Sequence, residues 1–91
     1  MKSPLIALAA SHGYTLQFHK PENRLFRFIR EDGEVRIDIW DSTFTIGIIF
    51  KGKPPVFLKE RKRDEIEEIF MSPEFSVRDL RPQDTKQSSF F

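Results

Sequence analysis

The segment Leu25–Phe50 reads LFRFIREDGEVRIDIWDSTFTIGIIF, and its alternation decides the fold. Asp32-Gly33 is a favoured two-residue hairpin turn, and closing it sets Phe28 opposite Ile37 and Phe26 opposite Ile39. Asp41-Ser42 serves as the next turn and sets Ile39 opposite Phe44, Ile37 opposite Ile46 and Val35 opposite Ile48. One register then gives three strands a shared apolar face, the arrangement by which cross-strand pairs stabilise a sheet.

Upstream, Tyr14, Leu16 and Phe18 alternate along a further strand. A three-residue loop with Asn23 left-handed places Phe18 opposite Phe26 and Leu16 opposite Phe28, on the same face. A four-residue loop would instead put Phe18 against Leu25 and scramble both faces, so the shorter loop is preferred. The expected strands are near 14–19, 24–31, 34–40 and 43–50, with Val56-Phe57-Leu58-Lys59 as a short fifth after Lys51-Gly52-Lys53-Pro54-Pro55.

Ser3-Pro4 opens a short helix carrying Leu5, Leu8, Ala9 and His12 at helical spacing, and Gly13 stops it. Asp64 to Met71 reads as a second helix, with Asp64 and Glu67 spaced as a capping box and Ile66, Ile69 and Phe70 as its stripe. The sequence therefore predicts an α+β, two-layer fold: a four- to five-stranded antiparallel meander with two short helices on one face, in the order α-β-β-β-β-(β)-α. Residues 1–73 form the expected domain, and the polar stretch 74–91 an expected mobile tail.

Ninety-one residues allow one modest core, to which 10 phenylalanines contribute large buried area. The absence of cysteine excludes disulfides and thiolate metal sites, and the expected location is intracellular, in the cytoplasm. No apolar run reaches the length that spans a membrane, and the formal charge of +1 points to no partner by itself.

Its distribution says more. Lys51, Lys53, Lys59, Arg61, Lys62 and Arg63 crowd one stretch against the single acid Glu60, and are candidates for phosphate contacts with nucleic acid. The competing reading is a solvated charge run, with Arg61 and Arg63 each one helical turn before Glu65 and Glu67.

The opposite face of the sheet carries Arg27 opposite Asp38, Ile29 opposite Arg36 and Leu25 opposite Trp40. His19 joins Leu25, Trp40 and Thr43 in one row, and Arg36 faces Gly47. An outward tryptophan beside a leucine calls for a cover. Phe75 or Phe90-Phe91 folding back, a second copy of the chain, or a stacked base are the three options, the first two favoured over stacking. Leu25, Arg36 and Trp40 are thus candidate contact residues.

Catalysis finds little support. No Ser, His and carboxylate grouping has a recognisable spacing, and His12 with His19 makes a weak zinc signal. Asp38 and Asp41 are too few for a magnesium site. No cofactor is expected.

Arg36-Ile37-Asp38-Ile39-Trp40, Ser42-Thr43, Thr45-Ile46-Gly47, Lys51-Gly52-Lys53, Phe57, Glu65-Ile66-Glu67-Glu68-Ile69-Phe70 and Pro73 follow one another in order. That succession resembles a small family of microbial and lower-eukaryotic proteins with an aromatic-ended strand, a Ser/Thr-Thr-Gly-Thr-Val-Gly turn and strand, a Lys-Gly-Lys loop and a short acidic helix. The resemblance spans residues 35–73 and implies the fold, with no activity attached. Phe44 stands where the family pattern has glycine, which favours a structural turn. Lys59-Glu60 stands where it has two arginines, which weakens an anion-binding loop. The expectation is a non-enzymatic binding module that contacts nucleic acid through the basic loop, or else a protein-interaction module or homodimer that uses the sheet face around Trp40.

Overall fold

The computed structural model describes residues 4–86, Lys86 by its backbone alone. The chain is α+β. Helix α1 (Pro4–Ser11) is followed by strands β1 (Tyr14–Lys20), β2 (Leu25–Arg30), β3 (Val35–Trp40), β4 (Thr45–Phe50) and β5 (Val56–Leu58). Helices α2 (Arg63–Met71) and α3 (Pro73–Ser76) come next, and a two-residue strand β6 (Thr85–Lys86) ends the described chain. All six strands form one antiparallel sheet in sequence order, β1 to β6.

The hairpin at Asp32-Gly33 has the register read from sequence, with Phe28 opposite Ile37 and Phe26 opposite Ile39. Gly33 takes φ +75°, a conformation that glycine adopts without the penalty of a Cβ. Asp32 helps close the turn by accepting the Glu34 N–H at 2.9 Å.

The next hairpin differs. Its loop is Asp41–Phe44, so Ile37 lies opposite Ile48, Ile39 opposite Ile46 and Trp40 opposite Thr45. The expected pairs Ile39–Phe44, Ile37–Ile46 and Val35–Ile48 do not form. The slip is two residues, an even number, so every side chain keeps its face. Phe44 sits at φ +52°, in the left-handed region that disfavours bulky side chains and where the resembled family has glycine.

The first hairpin also differs. Its loop is the four-residue Pro21–Arg24, and Arg24 rather than Asn23 is left-handed, at φ 53°. A β-bulge between Leu16 and Phe18 absorbs the extra residue. Leu16 therefore still opposes Phe28, while Phe18 opposes Arg27 and points to the other face. His19, not Phe18, stacks on Phe26, with ring centroids 4.1 Å apart.

One side of the sheet is the core. Phe28, Ile37, Ile39, Ile46, Ile48 and Leu58 are fully enclosed there. Ile66, Ile69 and Phe70 of α2 join them, with Ala9 of α1. Phe70 meets Phe28 edge-on at 5.5 Å and Tyr14 at 5.0 Å. Gly13, at φ +81°, ends α1 and turns the chain into β1, its carbonyl accepting the Glu31 N–H. At the start of α2, Glu65 rather than Glu67 does the capping, accepting the Lys62 N–H at 2.9 Å. Glu67 instead meets His12, just after α1, at 3.3 Å.

Of the stretch 74–91 expected as a tail, the described part runs to Lys86 and is tied to the rest of the chain. Within 74–86 the chain forms α3, bonds Arg81 to Glu65 and adds β6 to the sheet beside β5. The anchor is Asp84, whose side chain is wholly enclosed. It accepts both Arg61 guanidinium nitrogens, at 3.0 and 2.7 Å, and the N–H groups of Lys59 and Arg81. Among the described residues no helix is long and apolar enough to cross a membrane.

Candidate functional site

The helices occupy one side of the sheet, and the other side is a surface of its own. Strand alternation places three rows of side chains across it. Phe18, Arg27, Asp38, Gly47, Phe57 and Thr85 run through all six strands as successive partners. Leu25, Trp40 and Thr45 form a second row, and Ile29, Arg36 and Ile49 a third.

The middle row is internally organised. Arg27 donates to Asp38 through two nitrogens, at 2.9 and 3.0 Å. Its guanidinium also lies over the Phe18 ring, 4.5 Å from the centroid. Asp38 is 2 % exposed, so this carboxylate is removed from water and paired. Arg36 comes within 3.5 Å of it.

Gly47 explains the aromatic end. A Cβ there would lie 3.2 Å from the Phe57 ring and 3.4 Å from Trp40. Without one, both rings lie over the strand and meet each other, centroids 6.2 Å apart and tilted by 53°. Arg36 does not face Gly47 as expected: Asp38 is the residue opposite Gly47, Arg36 pairs with Ile49, and the rings fill the space.

Trp40 therefore looks away from the helices, as expected, and stays partly exposed. Leu25 is buried beside it, 6 % exposed, and Arg36 is more open. His19 is not in this row, because the bulge turns it to the core side, and Lys20 takes its place opposite Leu25. Thr45, not Thr43, completes the row. Phe75 does not cover Trp40: it lies on α3 and is 65 % exposed. Phe90-Phe91, the other expected cover, lies outside the described residues.

The structure divides the basic segment. Lys51 and Lys53 are exposed at the end of the sheet where the Lys51 N–H meets the Glu34 carbonyl. Lys59, Lys62 and Arg63 are exposed beyond the opposite end of β5, where the Arg61 N–H meets the Phe44 carbonyl. Arg61 itself is 5 % exposed and committed to Asp84, so it offers nothing to a phosphate. The division follows from β5, the short strand expected between Lys53 and Lys59, which sends the two groups to opposite ends of the sheet; the pairing of Arg61 with Asp84 had no signal in the sequence. The open-face residues that the sequence reading did not place there were Phe18 and Phe57. Phe57 was legible in principle, since it lies directly opposite Gly47 once β5 is paired.

Among the described residues no group of three or more His, Cys, Asp or Glu side chains is placed to hold a metal ion. No family model, curated protein or solved structure matches the chain, so the motif succession over residues 35–73 finds no counterpart there.

Proposed function

We propose that the chain is a non-enzymatic interaction module that pairs with a second copy of itself through the open face of the sheet. The observation that carries this is a single face that holds Phe18, Trp40 and Phe57 together with Arg27 and Arg36, while Asp38, the acid of its described rows, is already paired with Arg27. Aromatic residues and arginine are the types enriched at protein contacts, and lysine is depleted there. Both described lysine groups lie at the ends of the sheet rather than on this face, apart from Lys20 at its edge.

The face is self-complementary. Arg36 of one copy meets the Trp40–Phe57 pair of the other, and a two-fold axis makes that contact twice. Strand spacing and rise give a projected area of roughly 400 Å² before side-chain relief, which suits an exchangeable dimer rather than an obligate one. A stack of bases fits less well, because Arg27 already caps Phe18 and the Trp40 ring already contacts Phe57.

Sedimentation velocity over a range of concentrations tests the reading. The wild-type chain is expected to pass from monomer to dimer as concentration rises. Trp40→Ala should weaken the dimer by roughly thirtyfold, the loss of an aromatic anchor. A chain that stays monomeric at the highest concentration overturns the proposal. So does a dimer that Trp40→Ala leaves untouched.

A further inference from the structure

On the helix side, away from the open face, a cleft of about 440 Å³ lies between α1, the start of α2 and the Asp41–Phe44 loop. Leu5, Leu8, Phe44 and Ile66 line its walls, and Ile39 of the core forms part of its floor. Two charged residues border it, Asp41 and Arg63. They are not equivalent. Asp41 accepts from Arg24 Nε at 2.7 Å, so its charge is already compensated. Arg63 has no carboxylate partner among the described residues and is exposed at the first position of α2.

Phe44 adds an independent observation. Its φ of +52° is a conformation that costs a bulky side chain energy and glycine nothing. The strained residue nevertheless presents a large ring, packed against the core and lining the cleft. A turn selected only for closure would not keep an aromatic there.

We infer that this cleft binds a small amphipathic anion, a medium-chain monocarboxylate, with its hydrocarbon body along Leu5, Leu8, Phe44 and Ile66 and its carboxylate on Arg63. The volume is in the range of ordinary ligand pockets, which are mostly apolar with a few placed polar groups. Arg63 supplies the single uncompensated charge, and a charge-assisted bond to a carboxylate is among the stronger polar contacts. The site is separate from the dimer face, so the two proposals stand or fall independently.

Isothermal titration of the full chain with decanoate tests it. Saturable binding at one site per chain is expected, weakened about tenfold by Arg63→Gln and by at least as much in Phe44→Gly, which removes the ring while relieving the backbone. Arg63 is exposed, so Arg63→Gln retains the fold and decides the matter even if Phe44→Gly does not. The absence of saturable binding at millimolar decanoate overturns the inference, as does binding of equal strength in the wild-type chain and Arg63→Gln.

Discussion

Replacing Asp84 by alanine should cost about 3–5 kcal/mol, a large part of the 5–15 kcal/mol that stabilises a typical domain. Its carboxylate is fully enclosed and collects the Arg61 guanidinium together with two backbone N–H groups. Removing it leaves the Arg61 charge, itself 5 % exposed, without a counter-ion in a place water does not reach. The loss should appear as a lowered urea midpoint, with amide exchange accelerating first at Phe57, the β5 residue paired with Thr85 of β6.

The same site sets a pH dependence. Burial pushes the Asp84 carboxyl up, but the bonds from Arg61, Arg81 and Lys59 outweigh it and hold the group below its ordinary value of 3.8. The folded form thus binds its proton less readily than the unfolded form. Its stabilisation is therefore complete above about pH 4 and is lost as pH falls through the depressed value. Glu65, lowered by its bonds from Arg81 and the Lys62 N–H, acts in the same direction. The wild-type chain and Asp84→Asn should converge in stability on the acid side only. A constant difference between them across that range would show that the ion pair is not what Asp84 supplies.

Phe28→Ala should cost a further about 3–5 kcal/mol, the range for emptying a large core site. The ring is wholly enclosed, opposed by Leu16 and Ile37 and met edge-on by Phe70. Phe18→Ala should cost under about 1 kcal/mol, since that ring is 37 % exposed on the other face beneath Arg27. Urea denaturation of the two variants side by side checks the bulge. Equal losses would mean that Phe18 belongs to the core and that the first hairpin has the shorter loop.

That pair of phenylalanines also shows where the sequence was readable. Alternation and the Asp32-Gly33 turn located the core face correctly through β2, β3 and β4, because a turn of known type leaves one register. At Asp41–Phe44 no residue signals the longer loop. The left-handed residue is a phenylalanine, which sequence reasoning never assigns to such a position. The error was harmless to the faces only because the slip was even.

In the first hairpin the longer loop and the bulge compensate each other. Phe18 is apolar on either reading, so nothing in Tyr14–Lys20 distinguishes a core side chain from an outward one. The ties of residues 74–86 were hidden for a different reason. They include a buried contact 23 residues apart in the chain, Arg61 with Asp84, and composition carries no trace of such pairing. The same contact removes Arg61 from the basic segment, so the candidate nucleic-acid site changed with it.

Trp40 is the chain's only tryptophan and lies on the proposed contact face, so its fluorescence reports that face alone. Acrylamide quenching, measured from low to high protein concentration, reads pairing through this face. The indole should be readily quenched in dilute solution and progressively shielded as copies pair, with Arg36→Glu remaining quenchable throughout. Quenching that does not change with concentration would contradict that pairing.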